Sequence, residues 1–199
     1  MTISRLASRM VLAVVAVLTG VPAAAQVTLP RVLAWEDVVQ GAASGALRWP
    51  VAVAAGPGGE LAVGDARDRR VVFFTDTGVE WAEAGVVTLP ATPLGLAYDG
   101  TRYLVSLRQS PWLVALEGPQ HQIRNIPLPQ DTMPGSVAAA ADGGFLIHDL
   151  AGGQILSLSP SGTVSVEASI GTGVGALASR PGGGFLALFP VEAELRRYD

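Results

Sequence analysis

A unit that recurs every 40 to 43 residues constrains this chain more than any other feature. Pro50, Pro93 and Pro134 stand 43 and 41 positions apart, and Val174 takes the corresponding place 40 positions further on. Behind each comes the same order: a short apolar run, a glycine-bearing turn, a second apolar run, a polar break, a third apolar run, and a looser extended run leading onward. The sharpest copy, 47–78, reads LRWPVAVAAGPGGELAVGDARDRRVVFFTDTG, and AGVVTLP follows it at 84–90. The later copies read LGLAYD, RYLVSL, WLVALEG; then SVAAAADGG, FLIHD, QILSLSPSG; then GALASRPGGG, FLALF, ELRRYD.

Runs of this length, bounded by glycine, are strands rather than helices, because an amphipathic helix needs apolar residues at spacings of three and four over ten or more positions. The 24 glycines and 14 prolines supply turns between many short strands. A β-sandwich would also use such strands, but it gives no reason for one proline-to-glycine spacing to appear four times. A repeat of ~40–50 residues holding four strands is the signature of a β-propeller, in which no blade buries its own faces and neighbours do so for it. The sequence therefore predicts an all-β fold: a β-propeller of about four blades, each a four-stranded antiparallel sheet, over 47–90, 91–131, 132–171 and 172–199.

The unit resembles an NHL-type repeat. That repeat runs through proline, apolar strand, Asp-Gly-like turn, apolar strand ending in aspartate, polar loop with arginine, and apolar strand. WPVAVAAGPGGELAVGDARDRRVVFF carries the whole order, and the resemblance extends over 47–199. Asp149 keeps the aspartate in the third copy, whereas Leu107 and Phe189 replace it in the second and fourth. The resemblance implies a six-bladed ring, so four copies either close a smaller ring or form an incomplete ring of the six-bladed type, cut short in a fragment of a longer protein. A strand at Val27 to Leu33 is the candidate for the outer strand missing from the last blade. An open ring would leave two sheet edges bare and favour self-association.

The first 25 residues read as a signal peptide. Arg5 and Arg9 precede an apolar run from Met10 to Leu18, and Ala23-Ala24-Ala25 offers small residues for cleavage before Gln26. The run is too short for a membrane span, so the expectation is a periplasmic or secreted protein with no membrane span after signal removal. Residues 26–46 read as an N-terminal edge strand, with Pro30 limiting its pairing, followed by a loop. No cysteine is present, so no disulfide supports the fold. Beyond residue 25 the chain keeps eleven arginines, no lysine and seventeen Asp and Glu, a formal charge of −6. No basic patch results, and nucleic acid is not an expected partner.

Side chains that could do chemistry are few. His121 and His148 are the only histidines, 27 positions apart and without the cysteine or histidine company of a tetrahedral metal site. GTGVG at 171–175 superficially resembles a dinucleotide loop, but no helix follows it. No G-x-S-x-G elbow occurs, and GDARD has too few oxygen ligands for calcium. Trp35, Trp49, Trp81 and Trp112 are expected to pack between blades. The residues left for a binding surface are those of the loops after the second strands: Asp65, Arg67, Asp68, Arg69, Arg108, His148 and Asp149. Of these, Asp65 and Asp149 have a structural alternative as caps for backbone N–H groups of their own loops. The functional expectation is an exported, non-catalytic binding or scaffold module without a cofactor, its loops engaging a protein, peptide or glycan partner. The alternative is a propeller enzyme, a lyase or a lactonase-like hydrolase, for which alone a divalent metal is expected.

Overall fold

Each group of apolar runs forms one antiparallel meander. The computed structural model describes residues 47–180 and 182–199. Blade 1 comprises β1 (Pro50–Ala55), β2 (Leu61–Asp65), β3 (Arg70–Asp76) and β4 (Trp81–Thr88). Blade 2 comprises β5 (Pro93–Tyr98), β6 (Arg102–Leu107), β7 (Trp112–Glu117) and β8 (Gln122–Pro127). Blade 3 comprises β9 (Pro134–Ala140), β10 (Gly144–Asp149), β11 (Gln154–Leu158) and β12 (Val164–Ser169). Blade 4 comprises β13 (Ala176–Ser179), β14 (Phe185–Phe189) and β15 (Glu194–Tyr198). Within every sheet the strands lie side by side in chain order, so the fold is a β-propeller of four blades. The fourth blade has three strands among the described residues rather than the four expected. The expected signal peptide at 1–25, the edge strand and loop at 26–46 and the clasp strand at 27–33 lie outside the described residues.

The period-two alternation of each strand sends its apolar residues to both faces, and at the three junctions between the described blades facing sheets bury them. Ala62, Val71 and Phe73 on the face of blade 1 that leads into blade 2 pack with Leu96, Tyr103, Val105 and Leu107 of that blade. Leu104, Leu113 and Ala115 on the leading face of blade 2 meet Phe145, Ile147 and Leu156. Leu146 and Ile155 of blade 3 meet Phe185, Ala187 and Phe189. The core is thus a series of slabs, one per junction, in place of a single centre. Truncating one of these side chains to alanine costs about 2–5 kcal/mol.

The first strands of consecutive blades lie against one another, β1 on β5, β5 on β9 and β9 on β13, and line the inside of the curve. No comparable contact joins β13 back to β1 among the described residues, so the blades form an open arc. Pro50, Pro93 and Pro134 each begin one of these inner strands, and the pairing register slips beside each of them. An inner strand has one free edge, and that is where a residue without an N–H is tolerated.

Candidate functional site

The loop between the second and third strands has the same length in all four blades: 66–69, 108–111, 150–153 and 190–193. In three of them the first loop residue donates its N–H to the carbonyl of the residue before the blade's first strand. These bonds are Ala66 to Trp49 (2.9 Å), Arg108 to Thr92 (2.8 Å) and Leu150 to Met133 (2.7 Å). Blade 4 has Pro190 there, which has no N–H to give. The loops and the blade-to-blade connections therefore share one end of the arc. The last loop residue takes a left-handed conformation in blades 1, 3 and 4, at Arg69 (φ 49°), Gly153 (φ 63°) and Ala193 (φ 55°). In blade 2 that place is Pro111, whose ring forbids positive φ, and Gln109 (φ 53°) makes the turn instead.

Asp65 and Asp149, at the ends of β2 and β10, hold this end together. The Asp65 carboxylate accepts backbone hydrogen bonds from Arg48 (3.0 Å), Trp49 (3.0 Å) and Arg67 (3.2 Å), and its Oδ2 meets Arg70 Nη2 at 3.4 Å. Asp149 repeats the arrangement two periods on, accepting from Met133 (2.9 Å), Ala151 (3.0 Å) and Gly152 (3.0 Å). Burial works to raise the pKa of Asp65, but the N–H groups of Arg48, Trp49 and Arg67 and the guanidinium of Arg70 outweigh it and hold the group below the ordinary aspartate value. Leu107 and Phe189 stand in the same register position and are buried in the slabs between blades.

His148 precedes Asp149 and points the other way, onto the leading face of blade 3, where it is fully buried. Its Nε2 lies 3.4 Å from the Gly171 carbonyl, and its Nδ1 is buried without a hydrogen-bond partner. Burial pushes its pKa below the usual histidine value, against the opposing pull of the Gly171 carbonyl and the Asp149 charge. Gly64, Ser106 and Leu188 occupy the equivalent positions; Ser106 Oγ donates to the Gly135 carbonyl, and Gly64 lies against Pro93.

Among the seven residues singled out from the sequence, Asp65, His148 and Asp149 are therefore buried, and Asp68 is partly buried between Arg48 (3.6 Å) and Arg70 (3.3 Å). Arg67, Arg69 and Arg108 are exposed, and among the described residues none of the three has a carboxylate partner. Arg69 and Arg108 flank one connector: the Leu89 N–H donates to the Arg69 carbonyl (2.7 Å), and the Arg108 N–H donates to Thr92. Residues 89 and 92 are at most ~10 Å apart along an extended chain, so the two arginines belong to the same stretch of the loop end.

The same end carries apolar groups that sequence reasoning assigned elsewhere. Trp49 is 65% exposed and Trp112 39% exposed, and Met133 and Leu150 are exposed as well. Trp49 and Trp112 do not pack between blades as expected, because each sits where a strand begins at the loop end, beyond the slab. Trp81 is partly buried against Val63, Val72 and Phe74. Trp35 lies outside the described residues.

Two clefts formed by described residues lie at the opposite end, with the turns between first and second and between third and fourth strands. One, of about 240 Å³ between blades 2 and 3, is lined by Asp99, Thr101, Arg102, Glu117 and Pro160. Its charges are paired with one another, Arg102 with Asp99 (3.3 Å) and Glu117 (3.6 Å). The other, of about 200 Å³ between blades 3 and 4, includes Asp142, Glu167 and Phe185. Also at this end, Tyr103 donates to Glu60 (2.6 Å), and the His121 ring stacks on Phe73 with 3.6 Å between centroids, its Nε2 3.5 Å from Glu60. Burial, with the Glu60 hydrogen bond, pushes the Tyr103 phenol well above its usual pKa. Among the described residues no three His, Cys, Asp or Glu side chains come together as a metal site.

No family model matches the chain, and no curated protein matches it. Solved structures do. The arc is similar to a streptogramin B lyase (14% identity, TM-score 0.59, 75% of this chain and 54% of that one). It is similar to a catalytically inactive virginiamycin B lyase from Staphylococcus aureus with quinupristin (12%, TM-score 0.60, 75% and 55%). It is also similar to a gluconolactonase-like protein (18%, TM-score 0.62, 77% and 60%). The chain spans just over half the length of these structures, and at such identities the likeness establishes the β-propeller fold alone.

Proposed function

We propose that this chain is an exported, non-catalytic binding module of NHL-repeat type, and that the loop end of its arc engages an acidic protein, peptide or glycan. The observation that carries the reading is the company of exposed side chains there: Arg67, Arg69 and Arg108, without carboxylate partners among the described residues, beside exposed Trp49, Trp112, Met133 and Leu150. Tryptophan, methionine and arginine are the residues enriched at recognition surfaces, where a flat apolar body and a planar cation each contribute strongly once water is excluded. Export rests on the sequence of residues 1–25, and the mass of the protein recovered from periplasm or medium tests it, with Gln26 as the expected first residue.

The binding test is calorimetric titration with a panel of acidic peptides and of sulfated or uronic-acid oligosaccharides. Reversing Arg69 and Arg108 to glutamate should weaken a binder at least tenfold without changing the melting temperature, and added salt should weaken the wild-type complex. Absence of binding by every member of both panels, or binding indifferent to the charge reversal, refutes the proposal. A second reading, a lyase or lactonase-like hydrolase using a divalent metal, is favoured by the enzymes among the fold neighbours, which include a glutaminyl cyclase from Myxococcus xanthus (12% identity, TM-score 0.53). One tightly bound metal ion per chain, with turnover of a lactone, would support it.

A further inference from the structure

The ring of His148 is enclosed with fewer partners than its chemistry asks for. It is fully buried on the face of blade 3 toward blade 4, its Nε2 lies 3.4 Å from the Gly171 carbonyl, and no described group reaches its Nδ1. A neutral imidazole has one N–H, which the Gly171 oxygen can accept. An imidazolium has two, and the second would be buried as part of a charge with no acceptor. The strand cannot turn the ring away. β10 has a neighbour on each side, and the residues flanking His148 are paired on both: Ile147 with Val137 and Leu156, Asp149 with Pro134 and Gln154. The charges nearby do not supply the acceptor. Asp149 spends its carboxylate on the N–H groups of Met133, Ala151 and Gly152. On the side of blade 4 that faces blade 3, Glu194 and Arg196 pair with each other (2.7 Å). Glu167 of β12 lines the cleft at the opposite end, and Glu192 stands beside Gly173, outside the ring's enclosure. β9, β11, β13, β14, the loop 150–153 and the connector 170–175 have no ionisable side chain.

The connector 170–175, IGTGVG, covers the ring and belongs to no strand. Its ends are anchored. Ile170 and Val174 are buried in the slab between blades 3 and 4, the Gly175 N–H donates to the Leu188 carbonyl (2.8 Å), and the Gly175 carbonyl accepts from Ser136 Oγ (2.9 Å). Its middle is held lightly. Gly171, Thr172 and Gly173 are exposed, and the Gly171 N–H shares the Gly153 carbonyl (2.9 Å) with the N–H of Ile170 (3.0 Å). Gly171 and Gly173 have φ of 88° and 93°, a region that glycine enters and leaves freely, so they can act as hinges. We propose that residues 171–173 are an acid-operated flap: uptake of a proton by His148 requires this stretch to lift off the ring, with Ile170 and Val174 as its fixed ends, while the slab between blades 3 and 4 stays packed. With the flap lifted, water reaches both ring N–H groups and the cost of an unpaired buried donor disappears. Burial makes the closed ring resist protonation, whereas a solvated histidine titrates near its ordinary value of about 6.5. The closed flap is therefore complete above that value and gives way as pH falls below it.

Amide hydrogen exchange of the whole chain, followed by NMR and corrected for the intrinsic pH dependence of exchange, reads the opening directly. With one proton taken up per opening, protection of the Gly171 amide should fall about tenfold between pH 7.5 and 5.5. The Gly175 amide, at the anchored end of the same connector, and the strand amides of blade 3 should keep theirs. His148→Leu and the polar but non-titrating His148→Gln should each make the protection of Gly171 level over that range, and either variant suffices if the other fails to fold. Level protection of Gly171 in the wild type overturns the proposal. An equal loss at Gly175 and along the strands of blade 3 also does so, because it would mean that acid loosens the whole junction. A slope that persists in a folded His148 variant would assign the proton to another group.

Discussion

Replacing Asp65 by alanine separates a capping role from a ligand-binding one. The carboxylate is fully buried and receives three backbone N–H groups and one guanidinium nitrogen. Hydrogen bonds to a charged acceptor contribute about 1.5–3 kcal/mol each. Arg48 and Arg67 lie at the surface, where water replaces part of what is lost, so the net destabilisation is set near 3 kcal/mol rather than at the sum. For a chain of this size 1 kcal/mol lowers the melting temperature by about 2–4 °C, which places Asp65→Ala about 6–12 °C below wild type. Asp65→Asn keeps one acceptor oxygen and should lose about half as much. The sign of the pH effect follows from the lowered pKa. The folded state holds the anion more strongly than the unfolded chain does, so the contribution is complete above about pH 4, the ordinary aspartate value, and fades as pH falls through the lower folded one. Thermal denaturation followed by circular dichroism between pH 3 and 7 measures both. A variant that melts within a degree of wild type while losing affinity for a ligand would refute the capping argument.

His148 should make the fold acid-sensitive in a higher window. Its pKa is depressed in the folded state, so stability is lost as pH falls below about 6.5, the unfolded value. His148→Leu, which puts in blade 3 the residue that blade 4 has at the same place, should flatten the decline between pH 7.5 and 5.5; an unchanged slope in denaturant titrations would count against it. A Cβ at Gly95 would lie 2.9 Å from the Gly135 carbonyl oxygen and 3.0 Å from the Val137 nitrogen, both backbone atoms that cannot turn aside. Gly95→Ala should therefore cost about 2 kcal/mol, whereas Gly85→Ala, with nothing within 4 Å, should leave the melting temperature level or raise it. Equal effects would mean that the junction between blades 2 and 3 gives more easily than its packing suggests.

The propeller was legible before any coordinates because its information is local and repeated. Strand length, glycine turns and the proline that opens each inner strand are properties of a few adjacent residues, and a period of 40 to 43 residues says that the same meander is built again and again. The strand bounds moved only slightly: the outer strand of blade 1, read at 84–90, runs Trp81–Thr88. The caps at Asp65 and Asp149 could also be anticipated, since an aspartate ending a strand before a polar loop has backbone donors within reach. The tryptophans could not be placed in the same way. Whether Trp49 and Trp112 fill a slab or face solvent depends on how far each lies from the end of its blade, and that distance appears only when neighbouring blades are stacked.

Sequence alone therefore decided the meander, its repetition and the apolar character of both faces of every sheet. It left open which buried-type faces find a partner, because that is settled by curvature, by how many blades stand in the arc and by whether the last inner strand reaches the first. It likewise listed seven polar residues near one loop type without ordering them. The fold divides them by direction: alternate positions on a strand point to opposite faces, which buries Asp65, His148 and Asp149, while the four-residue loop beyond the strand carries Arg67, Arg69 and Arg108 clear of the blades into solvent.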